Sequence, residues 1–327
     1  MGFPTRYIMS DLFKFRKQPL VILSLTLGLS LLGYGLAKQF KLISPGLAED
    51  SPVIAAAGDI ACDPGSKYFN NTQGTDTNCR MKDTSDLLVN AGLTAVLPLG
   101  DTQYEYGKFA AFQKSYNPTW GRVKSITYPT IGNHEYYGGE TNYFNYFGKV
   151  AGDPSKGYYS YNIGSWHLIS LNSNCSKIGG CDNKSAQLKW LQEDLAKNKS
   201  FCTIAYWHHP RFSSGQHGSD KSYDDFWKVL YAAGVDVVLN GHDHHYERFA
   251  LQTPQGKPDS QKGIREFVVG TGGKNLYRIM AIQPNSEVSN NETYGVLKLT
   301  LHPRSYDWKF VPIAGQSFTD AGSESCR

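Results

Sequence analysis

The chain has 327 residues, 40% of them hydrophobic, with 33 glycines and 15 prolines, enough apolar material for one large core or two modest ones. Its formal net charge of +4 is uneven: residues 1–49 hold six Lys/Arg and two Asp/Glu, leaving equal numbers of basic and acidic groups in the rest. A neutral body excludes a binder that grips nucleic acid through a basic face, so no nucleic-acid-binding surface is expected.

At the N-terminus, Arg6, Lys14, Arg16 and Lys17 precede "PLVILSLTLGLSLLGYGLA", uncharged from Leu20 to Ala37. A charged segment followed by an apolar one is an export signal. The run is long for a cleaved signal peptide and just adequate for a bilayer span. Gly35-Leu36-Ala37 and Gly46-Leu47-Ala48 offer small residues at a cleavage spacing, so signal peptide and membrane anchor both stand. Either way residues 1–49 are leader plus linker, and residues 50–327 are expected as one exported, extracytoplasmic domain. Six cysteines agree with an oxidising compartment. We expect Cys62–Cys79 to staple a polar insertion, Cys175–Cys181 to close "CSKIGGC", and Cys202–Cys326 to tie down the tail.

After the linker, apolar strand-like runs each end in a polar cluster. "VIAAAGD" ends at Asp59, "TAVLPLGD" at Asp101, "YPTIGNH" at Asn133-His134, "FCTIAYWH" at His208 and "VDVVLNGH" at His242. Continuous apolar runs fit strands buried on both faces. Between them, "DTSDLLVNAG" predicts a helix stopping at Gly92, and "YDDFWKVLYAAG" one ending at Gly234. "SAQLKWLQEDL" sets Leu188, Leu191 and Leu195 on one face, with Ser185 as N-cap. Long polar connections are expected over residues 63–80, roughly 136–160, 251–263 and 283–293. "GVLKLTLHPRSYDWKFVPI" alternates like an antiparallel pair. Alternating strands and helices make the class α/β.

In α/β folds ligands bind where strands end. The clusters there supply Asp59, Asp101, Tyr104, Asn133, His134, His208, His242 and His244, a set of hard oxygens and imidazoles. Such donors suit zinc, iron or manganese better than calcium. They outnumber the needs of one ion, and two ions sharing a carboxylate is the usual arrangement for displacement at phosphorus.

The ordered set "GDI", "GDTQY", "GNHE", "HHP" and "GHDH" resembles the calcineurin-like metallophosphoesterases. Tyr104, three residues after Asp101, and "YER" at Tyr246-Glu247-Arg248 look like the purple acid phosphatase branch. The resemblance implies a four-layer α/β/β/α sandwich with two mixed β-sheets. It implies that Asp59, Tyr104 and His244 bind a first ion, that Asn133, His208 and His242 bind a second, and that Asp101 bridges them. The ions implied are Fe3+ with Zn2+, Mn2+ or Fe2+. The activity implied is hydrolysis of small-molecule phosphomonoesters by attack of a metal-bound hydroxide. His134 is expected to stabilise the transition state and His217, in "SSGQHGS", to act as acid, or the reverse.

A phosphodiesterase or nucleotidase would use the same ions, and a scaffold that lost the chemistry is a third reading. Pro210 selects His208 as ligand over His209 in the family pattern, and His245 gets no metal role. His167 reads as a satisfied core residue and His302 as an ordinary strand residue. Glu135 either orients a ligand or caps a helix. "GTGGKN" at residues 270–275 lacks phosphate-loop spacing and reads as a tight turn. The aromatics of "YYGGETNYFNYFG" either stack on a substrate or stabilise their own loop.

Overall fold

A computed structural model describes residues 51–327, and the leader lies outside the described residues. Twelve strands form two mixed sheets. The first holds β1 (Val53–Ala57), β2 (Ala95–Pro98), β10 (Gly295–His302), β11 (Ser305–Pro312) and β12 (Ala321–Ser325), in the order β12-β11-β10-β1-β2. The second holds β3 (Tyr159–Ile163), β4 (Trp166–Ser170), β5 (Cys202–Tyr206), β6 (Val237–Asn240), β7 (Tyr246–Phe249), β8 (Arg265–Val269) and β9 (Ser286–Asn290), in the order β3-β4-β5-β6-β8-β7-β9. The α-helices are α1 (Met81–Asp86), α2 (Phe109–Ala111), α3 (Asn133–Tyr137), α4 (Thr141–Phe147), α5 (Ala186–Lys197) and α6 (Asp224–Ala232). This is the α/β architecture of two mixed sheets with flanking helices that the sequence led us to expect.

The period-2 geometry of a strand sorts side chains between two cores. Along β5, Ile204 and Tyr206 join Leu168, Val237, Leu239 and Phe267 against Leu297, Leu299 and Phe310 of the other sheet. Ala205 and the following Trp207 point the opposite way, to Leu188 and Leu191 of α5 and Phe226, Trp227 and Leu230 of α6. Residues buried on both faces explain the unbroken apolar runs. The α5 face is as read: Leu188 and Leu191 are buried, Leu195 packs at the margin, and Ser185 Oγ accepts the Leu188 N–H at 3.2 Å.

Three expectations need correction. "YPTIGNH" is no strand; only bridges from Thr127 to Val96 and Thr130 to Leu99 form. Pro129 lacks the N–H a ladder needs, and so does Pro98 opposite. Residues 136–160 are not one polar connection, since they contain α4 and the start of β3, and residues 283–293 contain β9. The helix expected over 83–92 is α1, which starts at Met81 and ends at Asp86. There the Thr84 and Ser85 hydroxyls bond back to the Met81 and Lys82 carbonyls, a competition that bends short helices.

The expected disulfides Cys62–Cys79, Cys175–Cys181 and Cys202–Cys326 all form, with Cα separations of 5.5, 5.1 and 5.5 Å. β10 and β11 pair antiparallel from Gly295↔Pro312 to His302↔Ser305, as the alternation predicted. Among the described residues no helix is long and apolar enough to cross a membrane.

Candidate metal centre

Parallel pairing aligns β1 with β2 and β5 with β6, so their C-terminal tips emerge together. Backbone bonds then lock tip to tip. The Asp59 N–H donates to the Gly100 carbonyl at 3.2 Å, the Gly241 N–H to the His208 carbonyl at 3.0 Å, and the Gly58 N–H to the Val269 carbonyl at 2.8 Å. Asp59, Asp101 and His242 turn through positive φ, at 62°, 44° and 69°. Non-glycine residues rarely adopt that region, and such strain collects at functional sites. Gly100, at φ +86°, admits no side chain, because a Cβ there would lie 2.5 Å from His208 Nδ1.

The tips deliver two groups of donor atoms. In the first, the Tyr104 hydroxyl lies 2.8 Å from Asp59 Oδ1, 2.9 Å from His244 Nε2 and 3.2 Å from Asp101 Oδ2. In the second, His208 Nε2 lies 3.1 Å from Asn133 Oδ1, 3.2 Å from His242 Nδ1 and 3.2 Å from Asp101 Oδ2. One atom, Asp101 Oδ2, belongs to both. All seven expected residues are therefore brought together.

Outer contacts aim the rings. His208 Nδ1 donates to the Leu99 carbonyl at 2.8 Å and His244 Nδ1 to the Asn275 carbonyl at 2.6 Å, so the Nε2 atom of each ring is the one turned to the cluster. Tyr277 stacks on His244, centroids 3.8 Å apart. Burial disfavours a charged His208, but the Asp101 carboxylate outweighs it and holds the ring up at about 9. Burial would likewise raise Asp101, yet His208 and His134 hold it well below the usual carboxylate range. His209 has no such partner. Burial, then the neighbouring His208, push it down to about 3, and its Nδ1 bonds Ser173 Oγ. His208, His209 and His242 nevertheless offer nitrogens within 4.8 Å of one another, and Asp59, Asp101 and His208 offer two carboxylate oxygens and a nitrogen equally close.

The two candidate catalytic histidines flank the mouth. His134 bonds the Glu105 carbonyl through Nδ1 at 2.7 Å, and its Nε2 lies 3.8 Å from Asp101 Oδ2. The exposed His217 ring stacks on His242 at 4.2 Å. Glu135 does both things the sequence left open. Fully buried, it accepts the Gly132 N–H at the start of α3, and also the Asp101, Thr102 and Gln103 N–H groups and the Thr102 hydroxyl. It thereby fixes the loop that carries Asp101 and Tyr104. The aromatic segment divides. Tyr143, Phe144, Tyr146 and Phe147 are buried around α4, whereas Tyr137 stays 60% exposed and accepts the Asn133 amide N–H at 3.0 Å.

Several supporting residues were not legible in the sequence. Lys274 sets its ammonium 4.5 Å above the Tyr104 ring and pairs with Glu105. Its turn, "GTGGKN", also donates the Lys274 N–H to the Asp59 carbonyl. Asp243 and Glu247 point away from the donor cluster into the loop that carries His217. His245 bonds Glu247 at 3.0 Å, His167 bonds Asn162 and Asp194 at 2.7 Å each, and His302 bonds Asp307 at 2.9 Å.

Residues 50–246 match the family model described as calcineurin-like phosphoesterase. The chain is similar to purple acid phosphatase 18 of Arabidopsis thaliana, 34% identical over 129 residues, 38% of this chain and 28% of that one. It is similar also to the probable purple acid phosphatase 20 of Arabidopsis thaliana, 29% identical over 211 residues, 55% of this chain and 47% of that one. It thus spans less than half the length of these relatives. Among solved structures, the purple acid phosphatase PPD1 of yellow lupin superposes with a TM-score of 0.65 at 19% identity, over 84% of this chain and 53% of that one. GAP50, the anchor in the inner membrane complex of Plasmodium, gives 0.61 at 14% identity, over 85% and 90%. Both structural likenesses concern the fold.

Proposed function

The chain belongs to the calcineurin-like phosphoesterase family, and on that premise we propose that it is an exported, dinuclear-metal phosphomonoesterase of the purple acid phosphatase type. The observation that carries this reading is the sharing of Asp101 Oδ2 between two groups of donor atoms. Donors about 2.0–2.1 Å from one cation lie roughly 2.8–3.4 Å from one another, depending on coordination number. The separations of 2.8–3.3 Å in the first group and 3.1–3.2 Å in the second fit such ions. The donor set fits as well: two buried carboxylates, a phenol oxygen, an amide oxygen and three imidazoles converge on two points, an arrangement suited to cations.

Asp59, Tyr104 and His244 would hold the first ion and Asn133, His208 and His242 the second, with Asp101 common to both. We assign Fe3+ to the first, where the phenol oxygen lies, and Zn2+, Mn2+ or Fe2+ to the second. Bound there, the ions would supply Lewis acidity, which lowers the pKa of a water and offsets charge developing on a phosphoryl oxygen.

The remaining work falls to the chain. His134, its Nδ1–H committed to the Glu105 carbonyl, presents Nε2 to the mouth and, with a proton on that nitrogen as well, would donate it to a phosphoryl oxygen as charge grows. His217, exposed on the other side, would pass a ring proton to the departing alkoxide. Glu135 and Leu99 keep the donors in register without touching substrate. Three disulfides support an oxidising, extracytoplasmic location.

Elemental analysis of the purified chain should give two ions, one of them iron, and turnover should favour a phosphomonoester over its methyl diester. Comparable rates on the two esters would count for a diesterase. A chain that binds no metal would leave only the scaffold reading.

A further inference from the structure

"GHDHH" alternates in direction. His242 and His244 face the donor cluster, while Asp243 between them is buried and faces the other way. Every hydrogen bond made by its carboxylate comes from one loop. Asp243 Oδ1 accepts the His217 N–H at 2.8 Å, and Oδ2 accepts the Gly218 N–H at 3.2 Å and the Ser213 hydroxyl. Ser213 Oγ in turn accepts the Gly215 N–H at 3.0 Å. Gly215 packs so closely that a Cβ would stand 2.5 Å from Asp243 Cγ. From the opposite side Glu247 accepts the Ser214 N–H at 2.8 Å. The loop is gripped by two buried acids, and the His217 ring leaves it to lie on His242.

We propose that Asp243 is a positioning residue for proton delivery: it fixes the backbone of His217 so that this ring, and not solvent, protonates the leaving group. The inference rests on the reading of His217 given above. An exposed histidine on an unanchored loop would sample many orientations, and an acid helps only when held within hydrogen-bond reach. Two consecutive N–H groups bonded to one buried carboxylate remove that freedom where the side chain departs. The same residue links the loop to His242 and His244 by two peptide bonds, so a shift of the cluster carries the His217 loop with it.

The test uses the full chain with its ions bound and two esters: glycerol phosphate, whose alkoxide needs a proton to leave, and 4-nitrophenyl phosphate, whose phenoxide leaves without one. His217→Ala should lose about a hundredfold in kcat on the first ester and little on the second. Asp243→Asn, which turns an N–H donor toward at least one of the loop amides, should reproduce that selectivity at about tenfold. The double variant should be no worse than His217→Ala alone. In the metal-free chain, amide exchange across residues 213–218 should quicken in Asp243→Asn. Should that variant fold poorly, Ser213→Ala leaves the carboxylate in place, removes one of its donors together with the acceptor of the Gly215 N–H, and is expected to show the same selectivity at about threefold.

Equal losses on both esters in Asp243→Asn, or losses that multiply in the double variant, would overturn the proposal while leaving His217 as the acid. A His217→Ala variant with no preference between the esters would instead refute the donor role of His217 and the inference with it. Unchanged amide exchange in Asp243→Asn would show that the carboxylate does not hold the loop, whatever the rates.

Discussion

Replacing Glu135 by Gln changes one atom of a buried side chain, yet it should loosen the whole centre. Of the two carboxylate oxygens, Oε1 accepts the Thr102 N–H, the Thr102 hydroxyl and the Gln103 N–H, at 2.7, 2.8 and 3.1 Å. Oε2 accepts the Gly132 and Asp101 N–H groups at 2.8 and 3.1 Å. An amide that keeps the better-served oxygen points its NH2 at Gly132 and Asp101, and two buried donors lose their acceptor. Each unsatisfied donor costs about 1–3 kcal/mol, so the loss should total roughly 2–6 kcal/mol. That is a large share of a typical stability of about 5–15 kcal/mol. One of the orphaned N–H groups belongs to Asp101, so the damage reaches the shared carboxylate. Urea unfolding of the metal-free chain, disulfides intact, should show the lowered midpoint, and calorimetric titration with zinc should show weakened uptake of both ions. An unfolding free energy within about 1 kcal/mol of wild type would refute the assigned role of these hydrogen bonds.

Tyr104→Phe removes the hydroxyl that meets Asp59 and His244; a ferric wild type should be coloured and this variant colourless at equal iron content. A colourless, fully active wild type would remove ferric iron from the proposal and spare the phosphoesterase. Burial lifts Asp236 from 3.8 to about 6 despite N–H donors from Thr203 and Arg327. Its folded-state pKa lies above the unfolded one, so the stabilisation is complete below about 3.8 and is lost as pH rises through about 6. Wild type should therefore lose up to roughly 3 kcal/mol relative to Asp236→Asn between pH 4 and 7; a pH-independent difference in urea stability would contradict this. Opening Cys202–Cys326 with a Cys202→Ala/Cys326→Ala pair should cost about 5 kcal/mol by loop entropy across 124 residues. A loss in urea stability below about 1 kcal/mol would show that the tail is held by its strand pairing alone.

Asp59, Asp101, His208 and His242 were legible because each ends an apolar run and the topology gathers strand ends at one edge; Asn133, Tyr104 and His244 were legible only through the ordered motifs. The sequence did not reveal that one oxygen of Asp101 serves both groups, because that depends on rotamers set by His208, Tyr104 and the His134 N–H. Asp243 and Glu247 stayed hidden for another reason. Their partners are backbone N–H groups some 25–35 residues away, and any residue type supplies an N–H. α4 was missed although Tyr143, Phe144 and Phe147 have helical spacing, since Gly138-Gly139 reads as a loop. β9 was missed because an edge strand is half-exposed throughout and shows no alternation.

The pairing of β1 with β10 has a consequence for how the protein comes into being. Ile54 lies opposite Leu299, so the strand that presents Asp59 gains its antiparallel neighbour only once the chain has been made through Leu299. Contacts so distant along the chain form late. A nascent chain emerging from the ribosome would hold the first metal-seeking carboxylate, with only β2 beside its strand, long before the other side of that strand is paired. Assembly of the centre is then a closing event of folding.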